Sequence, residues 1–283
     1  MDLSNKKELA WLAELIADFR KAAPAYEPFV VGAMARDLLL HYGFGVPVTR
    51  ATEDIDFAFA VANWDEFNLL RDALLASADF SPGQPASHRL LHNNSMPVDL
   101  IPFGGVERVD GSIMWPDDSV MSVSGYHEAR ASAVELLLPQ EQTLLTVSLP
   151  MLAVLKLFAW SDRHTRAPRK DAADIFLILI NYLNGENTAR LYAEASHLLN
   201  ADDFDYESAG AWLAGHDARL CISENSEQPN RVVDAMERIL ESEIDPNGNL
   251  KLIGETGALA DRSLKLLASF HEGFRVNFNG ASR

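Results

Sequence analysis

The chain of 283 residues holds one cysteine, Cys221, which leaves no partner for an internal disulfide and no cysteine-built zinc cluster. Its setting, Arg219-Leu220-Cys221-Ile222, predicts a buried, inert thiol. Long hydrophobic runs are missing as well. No apolar stretch reaches the roughly 18 residues of a bilayer-spanning helix, and Met1 to Lys7 lacks the basic start and apolar core of a signal peptide. These two absences point to the cytoplasm and away from any membrane. Positive charge is scarce: 24 Lys and Arg face 41 Asp and Glu, for a formal net charge of -17. Affinity for phosphate backbones comes from Lys and Arg, so nonspecific binding of duplex DNA is not expected. The cations that are present cluster. Lys156, Arg163, Arg166, Arg169 and Lys170 stand against Asp162 and Asp171, a local patch that suits one polyphosphate or one RNA end.

What remains is the composition of a globular protein, 48% apolar and 23% charged, with a length past the roughly 250 residues at which single cores stop growing. Two domains are predicted, 1–149 and 150–283. Leu9, Leu12, Leu15, Ile16 and Phe19 recur at helical spacing within 5–22. Short apolar or alternating runs follow at 29–31, 54–60, 88–92, 97–101, 112–115, 134–138 and 143–147, interrupted by only two helices, near 34–42 and 64–77. This pattern predicts an α+β core with a small mixed sheet. Pro150 suits a helix start, and helical stretches near 151–160, 170–183, 187–200, 207–220, 228–243 and 256–275 predict an all-helical C-terminal domain.

One stretch carries the chemistry. Val30-Val31-Gly32-Ala33 reads as a short buried strand, a glycine turn and the start of a helix, whose unpaired amides favour a phosphate. Arg36 and Asp37 sit just inside that helix, where Arg36 either reaches a nucleotide or braces Asp54 or Asp99. Downstream, Thr52-Glu53-Asp54-Ile55-Asp56-Phe57-Ala58-Phe59 alternates strictly, placing Asp54 and Asp56 on one strand face and Ile55, Phe57 and Phe59 on the other. A third acid, Asp99, stands alone in the apolar run Pro97 to Pro102 and needs a partner there. An isolated Asp-x-Asp is usually a solvated strand face. Beside a glycine turn and a third acid, it becomes an all-oxygen site for Mg²⁺, and two such ions clamp the attacking and leaving oxygens of an in-line displacement. The residues point to a metal-dependent phosphoryl or nucleotidyl transferase.

Gly-x-x-x-Arg-Asp-Leu-Leu before Thr-x-Asp-Ile-Asp, over residues 29–102, resembles the nucleotidyltransferase superfamily of the DNA polymerase beta type. That resemblance implies that Gly32 and Ala33 hold the triphosphate, Asp54 and Asp56 bind both metals, and Asp99 binds one metal and favours deprotonation of the acceptor. Ala33 stands where the superfamily usually carries Ser or a second Gly, so a hydroxyl contact is lost. The opening motif is also similar to tRNA-CCA-adding enzymes and bacterial poly(A) polymerases. Lys156-x-x-Ala159-x-x-x-Arg163 and Arg169-Lys170-Asp171-x-x-Asp174 instead resemble the AbiEii family of abortive-infection nucleotidyltransferases, and extend the likeness to about residue 180.

The spacing of seven puts Lys156 and Arg163 two turns apart on one helix face, able to grip a triphosphate, or else to snorkel and to favour the helix C-terminus. Asp171 and Asp174, at spacing three, are either first-turn helix acids or second-domain site residues that hold Arg169, Lys170 or the acceptor. The expected reaction moves an NMP from an NTP to an acceptor hydroxyl, with two Mg²⁺. The AbiEii likeness implies an RNA or tRNA end as acceptor and a cognate antitoxin as partner. Two alternatives stand beside it: a small hydroxylated, aminoglycoside-like acceptor, which the acidic surface would attract, and a catalytically decayed nucleotide-binding module.

Overall fold

The computed structural model describes residues 1–47, 52–84, 88–165, 168–184, 187–200, 204–226, 228–245 and 251–276. Arg166 of the basic patch lies outside them. The chain divides into two compact units, Met1–Ser148 and Leu149–Arg283.

The first unit opens with helix α1 (Ala10–Ala22) and continues with strand β1 (Phe29–Val31), helix α2 (Gly32–Arg36), strand β2 (Ile55–Val61) and helix α3 (Trp64–Leu75). Strands β3 (Phe80–Pro82), β4 (Arg89–His92), β5 (Met96–Gly104), β6 (Ser112–Met114) and β7 (Val120–Ser122) follow. Helix α4 (Tyr126–Ala131) and strands β8 (Val134–Leu137) and β9 (Thr143–Thr146) complete it. Seven strands form one mixed sheet in the order β3-β4-β5-β2-β1-β9-β8, while β6 and β7 pair separately. The β2–β5 and β1–β9 pairs are parallel and the other pairs of the large sheet antiparallel. The expectation of only two helices between the strands is corrected by α4, a six-residue helix entered through Gly125 at φ 83°. Like β3 and β7, each three residues long, it is too short to show a period.

The helical spacing in α1 delivers Leu12, Leu15, Ile16 and Phe19 to the core, all fully buried. There the Phe19 ring stacks on Phe59 at 5.4 Å and meets Phe57 edge-on at 5.8 Å. The apolar face of β2 therefore supplies the core, which leaves its acidic face to the other side of the sheet. Helix α2 continues directly into a π-helical segment, Asp37–Gly43.

The second unit comprises α5 (Leu149–Arg163), α6 (Pro168–Asn181), α7 (Asn187–Glu194), α8 (Tyr206–Asn225), α9 (Pro229–Ile244), the single turn α10 (Lys251–Gly254) and α11 (Ala260–Arg275). Pro150 falls in the first turn of α5, where its missing N–H is harmless. Helix α5 is buried over most of its surface, and the Trp160 indole donates to the carboxylate of buried Glu243 at 3.2 Å. Helices α8 and α11 touch backbone to backbone. A Cβ on Gly215 would lie 1.9 Å from the Phe270 carbonyl oxygen, and one on Gly273 1.9 Å from that of Trp212. Cys221, expected to be buried, is half-buried on α8, because its helix face turns partly away from that contact. Among the described residues no helix is long and apolar enough to cross a membrane.

Candidate active site

Strand register assembles the acids into one row. Arg89 on β4 pairs with Asp99 on β5, Asp99 with Asp56 on β2, and Asp56 with Val31 on β1. Directly paired residues share a sheet face, so the row runs from a guanidinium across two carboxylates to the residue before Gly32. Asp54, two residues before Asp56, projects to the same side.

Gly32 closes the row. Its φ is +69°, the left-handed region that favours glycine, and a Cβ there would fall 1.9 Å from Asp56 Oδ2. Only a residue without a side chain lets the turn into α2 approach the carboxylate so closely. Ala33 is buried behind it. Arg36 is 2% exposed and places Nε 2.8 Å from Asp37 Oδ1, while the Thr52 hydroxyl donates to the other Asp37 oxygen. Asp37 thus ties the helix to the chain just before Asp54.

Asp54 and Asp99 are braced by Arg89. Its Nε donates to Asp99 Oδ1 at 2.7 Å, and one terminal nitrogen donates to Asp99 Oδ2 at 2.6 Å and to Asp54 Oδ2 at 3.0 Å. The hydrogen bonds to Asp99, with the charges of Asp99 and Asp54, raise the guanidinium above its ordinary pKa against the opposing effect of burial. Gly83 makes room for the Arg89 stem, since a Cβ there would lie 2.6 Å from Arg89 Cγ. Sequence reasoning missed Arg89, although a signal was present. Asn93 and Asn94 both have positive φ, and recognising Asn93-Asn94-Ser95 as a three-residue hairpin loop pairs residue 92 with 96 and, by counting, 89 with 99.

Three carboxylates with oxygen donors alone suit a hard divalent cation, and their need for positive charge is visible in the way Arg89 spans two of them. The residues fit Mg²⁺. Elsewhere, ligand atoms of Glu237, Glu241 and His271 lie within 4.8 Å of one another. Arg275 pairs with both glutamates, so this group is an ion-pair cluster joining α9 to α11.

In the second unit the two motifs interlock. Lys156, 4% exposed, lies 2.7 Å from Asp174 and 3.4 Å from Asp171, and Arg163 clasps Asp171 with two hydrogen bonds of 2.8 Å. Burial pushes the Asp171 carboxyl up, but Arg163 and Lys156 outweigh it and hold the group below its ordinary value. The acids of the second motif hold the cations of the first. Arg169 and Lys170 are exposed, with Arg169 3.6 Å from Glu255. The Arg163 side chain is 45% exposed, so it alone of the interlocked pair also presents itself to solvent.

A family model described as "Nucleotidyl transferase AbiEii toxin, Type IV TA system" matches residues 19–231, a span that contains Gly32, the three acids, Arg89 and both helical motifs. No curated protein matches the chain.

Proposed function

The chain belongs to the AbiEii family of nucleotidyl transferase toxins, and on that premise we propose that it moves an NMP from an NTP to an acceptor hydroxyl, with pyrophosphate leaving from the α-phosphate, at the row formed by Asp99, Asp56 and the Gly32 turn. The observation that carries this reading is the approach of Gly32 to Asp56, which sets backbone amides for phosphate beside carboxylates for cations. Gly32 and Ala33 receive the phosphates through their amides. Arg36 serves the nucleotide from the same helix, anchored by Asp37. Asp54, Asp56 and Asp99 would hold two Mg²⁺ ions, which supply charge neutralisation for an in-line displacement at the α-phosphate. Asp99 also orients the acceptor hydroxyl and favours loss of its proton. In the second unit Lys156 fixes Asp171 and Asp174, and Arg163 offers its guanidinium to phosphate, with Arg169 and Lys170 adding positive charge nearby.

The family's description as a toxin of a type IV system supports a cognate antitoxin as partner, and the acceptor in this reading is an RNA end, such as a tRNA acceptor, for which the local cluster of Lys156, Arg163, Arg169 and Lys170 supplies positive charge. A second reading, a small cationic acceptor with several hydroxyls, is favoured by the net charge of -17, which attracts cations and repels RNA.

The test is incubation of the purified protein with each α-³²P-labelled NTP, Mg²⁺ and total cellular RNA. A labelled small RNA, absent with Asp54→Ala, is the expected result and names the nucleotide. Absence of label with calorimetric binding of Mg²⁺-NTP transfers the search to small acceptors. Absence of both overturns the transferase reading and leaves a decayed module.

A further inference from the structure

Arg89 belongs to neither helical motif nor to the glycine turn, yet it binds two of the three acids, Asp99 in its own row and Asp54 beside it. Its fork uses both oxygens of Asp99, at 2.7 and 2.6 Å, and reaches Asp54 at 3.0 Å. We propose that Arg89 is the resident counter-cation of this site: it holds Asp54 and Asp99 together before metal and nucleotide arrive, and competes with a divalent cation for the same carboxylates. The inference rests on the reading of the three acids as a cation site.

The argument is electrostatic. Two half-buried carboxylates side by side repel each other, and the side chains of Asp54 and Asp99 are only 26% and 13% exposed. A guanidinium of fixed planar geometry satisfies both at once and keeps their oxygens in place. It cannot keep that position when a divalent cation takes the same oxygens, since the two positive groups would then stand within a few ångströms of each other in a partly desolvated site. Arg89 must swing out along its own stem. The side chain is 26% exposed, so it has solvent to swing into. The competition lowers metal affinity in the free protein. A bound triphosphate reverses the balance, because its negative charge draws the cation in and gives the displaced guanidinium a new partner. Arg89 is thus a positioning residue that couples metal occupancy to nucleotide occupancy.

Mn²⁺ titration followed by electron paramagnetic resonance tests this on the full chain, with and without a non-hydrolysable ATP analogue. Without nucleotide, Arg89→Gln is expected to bind Mn²⁺ at least tenfold more tightly than the wild type, and the analogue should improve its Mn²⁺ affinity less than it improves that of the wild type. Arg89→Lys keeps the charge but loses the fork, so it should fall between the two; it decides the question if Arg89→Gln does not fold. A merely structural arginine would give the opposite sign, weaker binding upon removal. Mn²⁺ affinity unchanged or reduced in folded Arg89→Gln and Arg89→Lys overturns the competition while leaving the cation site itself intact. No Mn²⁺ binding by the wild type, with or without the analogue, and none by the variants, overturns the cation site and this inference together.

Discussion

At Gly32 two demands meet in one residue: a positive φ and the absence of a Cβ where Asp56 Oδ2 approaches. Ala can satisfy neither without moving the carboxylate. Gly32→Ala is therefore expected to cost about 1–3 kcal/mol of stability and, through the displaced turn, to weaken Mg²⁺-NTP binding at least about tenfold. Denaturant unfolding and calorimetry measure the two effects, and an Ala variant that binds NTP like the wild type would remove the turn from the site. The acids were legible from sequence because strand alternation separates Asp54 and Asp56 from Ile55, Phe57 and Phe59. Arg89 was not read, because its partners lie 10 and 35 residues away and meet it only through strand pairing.

At the scale of elements, the second unit depends on polar groups that helical periodicity does not display. Tyr182 at the end of α6 donates to Asp217 on α8, and Arg190 on α7 contributes two hydrogen bonds of 2.7 Å to the same carboxylate. One buried acid thus joins three consecutive helical segments. Burial pushes the Asp217 carboxyl up, but hydrogen bonds from Arg190, His216 and Tyr182 prevail and hold it at about 2 instead of 3.8. The folded-state value lies below the unfolded one, so the stabilisation is present above about pH 4 and is lost as the pH falls towards 2. Its size is about 2 kcal/mol. Asp217→Asn should be less stable than the wild type by at least about that much at pH 6, with the gap narrowing below about pH 4. Urea unfolding at a series of pH values checks this; a gap that stays constant from pH 6 to pH 2.5 would remove Asp217 as its source.

For the whole molecule, charge decides which partners can approach. The net charge of -17 is spread over both units, while the positive patch of the second is partly spent on its own acids, Lys156 and Arg163 being paired with Asp171 and Asp174. Duplex DNA at 150 mM salt is expected to show no gel shift at micromolar protein, and labelling of an RNA acceptor should fall several-fold between 50 and 200 mM salt, as phosphate contacts are screened. RNA labelling that does not respond to salt would mean that its acceptor is not held through phosphates.

Composition and spacing by themselves determined the α+β core, the helical second half, the apolar face of β2 and the three acids, because each of these is local: a period of two or of 3.6, a glycine after a strand, a charge in an apolar run. The seven-residue spacing of Lys156 and Arg163 and the three-residue spacing of Asp171 and Asp174 were equally visible. Only the tertiary structure decided that these cations and acids hold one another, that Arg89 spans Asp54 and Asp99, and that Gly215 and Gly273 let two helices touch. Those pairings join residues from different elements, and their energies depend on burial and distance, which the packed chain alone supplies.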